Sequence, residues 1–372
     1  MSKPGSPALP NHRLLTNLMR LLECDELDGA RALLAGNRAD IENMCALLEK
    51  SRLAGYFYTL VRDTAMTSFF NDEQFAALAA RYQRQVDRNE ANLALLCDIQ
   101  RTLGAASIPF LTLKGLYLAQ RFFGDIHNRF MWDIDILVHP RDLEAAITEL
   151  KPLGFHTPRG IRFDASNTRW DIHAVEVRSE RGKLDIHHTI RRMPGIRFDY
   201  DRMWSQSQEF AIAQSRFATQ SDADTLLTAA VGLGADLQAG RQNLRKVWDI
   251  CQLLKQLDAC IDWNAFVAER NAEGSLKLVI NMFAFCLLLT GTESDCPGLA
   301  LTMSRHKHLL VIRSEQLAET IFARGRQDIA NRLLYSRLLP VSPFYYWLRW
   351  LLTLPVRVWH FRSTKPRRGK SR

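Results

Sequence analysis

Apolar residues in this chain recur with two different periods, and the change of period divides it. From Arg13 to about Leu103 they return at helical intervals; Leu93, Leu96 and Cys97 stand at i, i+3 and i+4, and Leu95 with Ile99 widens the same stripe, as in amphipathic helices. Residues 104 to about 215 mix strand and helix signals. Ile108–Leu113 reads as a short buried strand running through Lys114-Gly115 into a helix over Leu116–Phe123, and the apolar run Arg129–Val138 reads as a second strand. Pro140 to Ile147 has the composition of a helix start, and Trp170–Arg178 with Lys183–Ile190 forms a hairpin around Arg181-Gly182. From Asp222 to about Ala330 the helical period returns. The expected divisions are therefore a helical region over 1–103, a mixed core over 104–215, a helical domain over 216–335 and an aromatic, basic tail over 336–372.

Composition adds little until charge is located. With 47% hydrophobic and 24% charged residues among 372, the chain is an ordinary globular one with room for two or three domains. Its net charge of +9 suggests an anionic partner, yet seven basic residues and no acid fall between Arg357 and Arg372, which leaves a body of only +2. A nucleic-acid groove across the fold is therefore not expected. Seven cysteines, odd in number and without C-x-x-C spacing, predict reduced thiols and a cytoplasmic setting. Residues 1 to about 12 are Pro-rich and expected to be disordered, without the apolar segment of a signal peptide. The longest uncharged apolar stretch, near Leu278–Leu289, falls short of the ~20 residues of a membrane span and predicts a core helix. In the last forty residues, aromatics interleave with arginines before the basic tail, the composition of a membrane-surface anchor over 343–372 or of a core aromatic helix with a solvated extension.

The chemistry concentrates in the middle. Asp133 and Asp135 are two residues apart in a strand-like run, so they share a face while Ile134 and Ile136 turn to the core. Two carboxylates at the end of a buried strand repel one another, and a divalent cation with oxygen ligands is the usual compensation. Asp185, in the alternating run Lys183–Ile190, is a natural third ligand. Upstream, Gly115 allows close backbone approach at the start of a helix whose free amides favour phosphate, and Lys114 adds a full charge. A phosphate turn, a carboxylate pair and a third carboxylate are the parts of two-metal phosphoryl or nucleotidyl transfer, in which bridging acids hold two Mg²⁺ ions about 3.5–4 Å apart. Each residue has a plainer reading: strand acids facing solvent, Lys114 as a surface lysine, Arg129 paired with Asp125 or a core acid instead of clamping triphosphate. His187 shares the Asp185 face and reads as a nucleotide contact, a base or a buried structural histidine. His173 with His187-His188 invites zinc, but neither H-E-x-x-H nor a nearby cysteine supports it. Trp248-Asp249 reads as a helix-packing element, with Asp249 lining the cleft as the alternative.

Leu113-Lys114-Gly115, the Arg129–Val138 run, Gly154-Phe155, His173 and Leu184-Asp185-Ile186-His187 together resemble the motif series of the uncharacterised bacterial nucleotidyltransferase family within the polymerase-β-like superfamily. Downstream, Leu244–Ile250 and Ile261-Asp262-Trp263 are similar to the helical segment that follows the core in that family. The resemblance, over roughly residues 10–330, implies an α+β fold in which a polymerase-β-like core with a mixed sheet is flanked by helical domains. It implies Mg²⁺-dependent transfer of a nucleoside monophosphate from an NTP and an association with cell-surface polysaccharide or peptide-product gene clusters; the expected acceptor is a hydroxyl of a protein, sugar or small molecule, which the resemblance itself does not supply. Asp133, Asp135 and Asp185 would hold the metals, and Lys114, Gly115, Arg129 and His187 the nucleotide. Lys114-Gly115 stands where many superfamily members carry Gly-Ser, so no hydroxyl helps hold the triphosphate, and Val231–Asp236 replaces the histidines often found before the Leu-Arg motif. The rival expectations are a catalytically silent nucleotide- or partner-binding protein of the same fold, and an accessory factor of polysaccharide assembly peripheral to the inner membrane.

Overall fold

The computed structural model describes residues 41–63, 66–157, 173–190, 193–241, 243–323 and 329–346. The Pro-rich lead and the tail from 347 onward lie outside them, so the expected anchor is described only over 343–346. There Tyr346 is buried, bonded to Gln238 and packed on Tyr335, while Phe344 is exposed. Among the described residues three α-helices precede the sheet, α1 (Ile41–Ser51), α2 (Ala54–Asp63) and α3 (Asp72–Ala105). The third is long because its start is well made: Asn71 accepts from the Gln74 amide and Gln74 answers on the Asn71 amide, a complete capping box.

A six-stranded mixed sheet follows. Its strands are β1 (Phe110–Leu113), β2 (Ile134–Val138), β3 (Ala174–Ser179), β4 (Gly182–His187), β5 (Gln208–Ile212) and β6 (Ser215–Thr219), in the spatial order β3-β4-β2-β1-β6-β5. β2 and β4 are parallel, as are β1 and β6, and the other pairs are antiparallel. Between strands lie α4 (Gly115–Phe122), α5 (Leu143–Glu149) and α6 (Tyr200–Ser205). The sheet ends at Thr219, four residues past the expected boundary at 215. The second strand is shorter than the run that predicts it: 129–133 are irregular, and only Ile134–Val138 is paired.

Period-2 alternation sends the two faces of this sheet to different cores. Ile134, Ile136, Val138, Val175, Val177, Leu184 and Ile186 join Leu95, Leu96, Ile99 and Leu103 of α3 and Leu143 and Ala146 of α5 in one buried cluster. Leu111, Leu113 and Leu137 point the other way, into a larger cluster built with the remaining helices. Those are α7 (Asp222–Gln238), α8 (Leu244–Leu257), α9 (Trp263–Ala272), α10 (Leu276–Thr290), α11 (Pro297–Arg305), α12 (Glu315–Ala323) and α13 (Ile329–Leu338). The apolar stretch near Leu278–Leu289 is α10, buried nearly all round, and no described helix is long and apolar enough to cross a membrane. α1 and α2 contribute Met44, Leu48, Phe57 and Val61 to the same larger cluster, so they pack with helices that follow them by two hundred residues.

Candidate active site

The parallel register of β2 and β4 sets Asp135 directly beside Asp185, and the antiparallel register of β3 sets Glu176 on the other side of Asp185. One row of the sheet therefore reads Glu176, Asp185, Asp135, Leu113 across four strands. Asp133, two residues before Asp135, extends that face just outside the strand. This face floors a cleft of about 430 Å³, which the sheet shares with α4, α7 and α8; Lys114, Asp133, Asp135, Asp185, Lys246 and Asp249 are among its lining.

The acids are held by cations. The Lys183 ammonium lies 2.9 Å from Glu176, 3.0 Å from Asp133 and 3.1 Å from Asp185. Burial pushes that ammonium down, but Asp185, Glu176 and Asp133 outweigh it and hold it above the usual lysine range. Asp135 accepts from His187 Nε2 at 2.9 Å and lies 3.5 Å from Lys114 Nζ. Against the upward push of burial, Lys114, His187 and Lys183 keep its carboxyl well below the ordinary range. Asp185 goes the other way: burial first, then the charge of Asp135, raise it to about 6 in spite of Lys183. Its buried Oδ1 lies 3.1 Å from the Lys183 ammonium, which also donates to its Oδ2 at 3.2 Å. Neighbouring carboxylates whose ionisations are pushed apart in this way are the pattern of an acid–base or metal site.

Lys114, at φ 50, and Gly115, at φ 39, both have positive φ where α4 begins, a conformation that suits glycine and costs a lysine. Arg129 lines the cleft and pairs with a core acid and not with Asp125: its Nε and Nη2 each donate to Asp249 at 2.7 Å, in a pair with both side chains 6% exposed, and Nη1 lies 3.4 Å from the Gly115 carbonyl. Asp249 thus both packs its helix and lines the cleft. His187 is buried against Asp135, and its ring lies 5.7 Å from that of His173.

Arg241, Arg245 and Lys246, which line the cleft, and Lys183, which pairs with its acids, escape sequence reasoning. Lys183 stands in the alternating run with Asp185, and its strand face gives the signal that it will meet the same acids. Arg245 and Lys246, in the Leu-Arg motif of α8, give no such signal. Arg245 donates to the Phe130 carbonyl at 2.8 Å, and burial with the nearby charge of Arg129 pushes its guanidinium down to about 10. Lys246 pairs with Asp236 at 2.8 Å and donates to the Gly232 carbonyl. Among the described residues no three histidine, cysteine or acidic side chains stand ready to enclose one ion; Lys183 lies between Asp133 and Asp185 instead.

A mixed sheet with carboxylates on adjacent parallel strands, facing a glycine turn at a helix start, defines a nucleotidyltransferase core. The chain belongs to the uncharacterised nucleotidyltransferase family, whose model matches residues 37–291, from before α1 to the end of α10. No match was found among the curated proteins. Two solved structures match about half of this chain. The solution structure of the antibiotic-resistance factor ANT(2'')-Ia is 11% identical, with 50% of this chain and 91% of that chain covered and a TM-score of 0.36. The crystal structure of an antigenic nucleotidyltransferase-like protein from Paracoccidioides brasiliensis is 16% identical, with 51% and 91% covered and a TM-score of 0.29.

Proposed function

We infer that this nucleotidyltransferase moves a nucleoside monophosphate from an NTP to an acceptor hydroxyl, with Asp133, Asp135 and Asp185 as the metal-holding carboxylates. The observation that carries the reading is the placement of these acids on one cleft face beside the Lys114-Gly115 turn. In this reaction the acceptor oxygen bonds to the α-phosphorus, the bond to the α–β bridging oxygen breaks, and pyrophosphate leaves. Lys114 and the Gly115 amide hold the β- and γ-phosphates, and Lys246 and Arg245 add positive charge on the opposite wall. Arg129 acts by holding the Gly115 turn and α8 together, since its guanidinium is committed to Asp249. The hydroxyl proton leaves to a base at the cleft floor, where burial and Asp135 make Asp185 more basic than an ordinary carboxylate in the metal-free protein.

Asp133, Asp135 and Asp185 are oxygen donors of the kind a hard cation takes and they share one cleft face, with the Lys183 ammonium already paired to Asp133 and Asp185. Mg²⁺ held there would neutralise phosphate charge and acidify the attacking hydroxyl. Two ions require Lys183 to leave its place between Asp133 and Asp185. That same lysine favours a second reading, in which it permanently replaces a metal and the chain binds nucleotide without turning it over.

The test measures Mg²⁺-dependent pyrophosphate release, and label transfer from α-labelled NTPs in cell extract, for wild type against Asp133→Asn and Asp135→Asn. Label on an acceptor with wild type alone supports transfer and reveals whether the acceptor is protein, sugar or polysaccharide precursor. No NTP consumption, with nucleotide binding indifferent to Mg²⁺, selects the silent reading. Peripheral membrane attachment through 343–372 is read by vesicle co-sedimentation of the full chain against one ending before Pro343; equal partitioning refutes it.

A further inference from the structure

Beside the cleft, and separated from it by two stacked rings, lies a second cavity of about 190 Å³, several times the ~30 Å³ share of a water molecule. Four arginines line it, Arg52, Arg81, Arg84 and Arg88, against a single acid, Glu49. Only Arg81 is neutralised, by Glu49 at 2.5 Å, and its Nε remains buried without a hydrogen-bond partner among the described residues. Arg52, Arg84 and Arg88 form no ion pair among the described residues and are exposed. An excess of three guanidinium charges around one small cavity is unfavourable unless an anion enters it, and the planar fork of arginine suits phosphate oxygens.

The wall toward the cleft is Phe130 stacked on Trp132, with ring centroids 6.3 Å apart and 25° between planes. Arg52 lies 5.2 and 5.1 Å from the two centroids and Arg88 5.9 and 4.4 Å, so the same cations that line the cavity cap the platform. Phe130 lines the arginine cavity, whereas Trp132, 47% exposed and adjacent to Asp133, lines the cleft. Arg52 stands at φ 60 in the turn between α1 and α2, a conformation unfavourable for a non-glycine residue.

We propose that Arg52, Arg81, Arg84 and Arg88 bind the phosphate of a phosphomonoester acceptor whose body lies on Trp132 and whose hydroxyl reaches the Asp133–Asp185 cleft. The acceptor role rests on the nucleotidyl-transfer reading above. It makes a cationic acceptor unfavourable and separates the acceptor's phosphate from the triphosphate, which the Lys114-Gly115 turn holds on the far side of the platform.

The test titrates the full-length protein calorimetrically with ribose 5-phosphate, with ribose as the uncharged control, and repeats the titration with Arg84→Gln/Arg88→Gln and with Asp135→Asn. The two arginines are exposed and outside the carboxylate cluster, so the double variant is expected to fold. Binding of ribose 5-phosphate but not ribose, weakened about tenfold or more in the arginine variant and retained in Asp135→Asn, supports the proposal, as does unchanged Mg-ATP affinity in the arginine variant. Equal affinity of wild type and arginine variant, absence of ribose 5-phosphate binding, or its competitive displacement by Mg-ATP overturns it; displacement would assign the arginines to the nucleotide. Pyrophosphate release by wild type is read separately. Release without phosphomonoester binding sinks this proposal alone, and phosphomonoester binding without any release sinks the acceptor role through failure of the transfer reading.

Discussion

Replacing Asp185 with asparagine is expected to make the metal-free protein more stable while abolishing transfer. In the folded protein burial and Asp135 raise the Asp185 carboxyl from 3.8 to about 6. At about 1.4 kcal/mol for each tenfold change in an ionisation constant, holding that group ionised near neutral pH costs the fold about 3 kcal/mol. The attraction of Lys183 is already contained in that figure, and the side chain is 24% exposed, so solvent relief brings the expected gain to about 2–3 kcal/mol. With unfolding entropy of about 2.1 cal/mol/K per residue, a chain this size gains roughly 3–4 °C in Tm. The sign of the pH dependence is fixed by the folded value lying above the unfolded one: as pH rises from about 4 to about 6 the unfolded chain releases this proton first, and wild type loses stability that Asp185→Asn keeps. Thermal unfolding in chelator should show the variant above wild type near pH 7.5, with the gap shrinking to about a third near pH 4.5. A variant that melts below wild type at neutral pH, or a gap that does not change with pH, refutes the reasoning.

Asp249→Asn leaves Arg129 buried beside a neutral amide; a loss of about 3–5 kcal/mol is expected, or roughly 4–6 °C in Tm by calorimetry. Arg270, fully buried, and Arg202 both pair with Asp224, Glu269 and Glu273; Arg270→Ala leaves three acids to Arg202 alone and should cost about 3 kcal/mol, read by denaturant unfolding. Proton competition for Asp185 should weaken Mg²⁺ binding as pH falls below about 6, measured by titration calorimetry, while Asp185→Asn removes that pH dependence.

The alternation in Ile134-Asp135-Ile136 and Leu184-Asp185-Ile186 was enough to place these acids opposite a core face, because period 2 is a local property. That Asp135 stands beside Asp185 was not local: it depends on β4 crossing to lie parallel to β2. Arg129 illustrates the same boundary, since its partner is 120 residues away on α8. The run Arg129–Val138 looked like one strand, but a buried Arg129 tied to Asp249 and an exposed Trp132 break its first half from the ladder. The hairpin of β5 and β6 gave no turn signal, for its two-residue loop is Ala213-Gln214, where Ala213 takes φ 51 without the glycine or asparagine such turns favour. The arginine cavity is assembled from α1, α3 and the segment before β2, and no spacing in the chain joins those parts.

The Arg129–Asp249 pair also sets what can move. Swinging the segment that carries Asp133 away from α8 would strand a buried ion, at about 3–5 kcal/mol, so such an open form is populated at roughly one molecule in a few hundred to a few thousand. The carboxylate floor therefore spends almost all of its time in this arrangement, and the breathing that admits substrate falls to the rim instead. Half-exposed Trp132 and the exposed Arg52, Arg84 and Arg88 stand on that rim, where a spectroscopic reporter would register arrival without disturbing the floor.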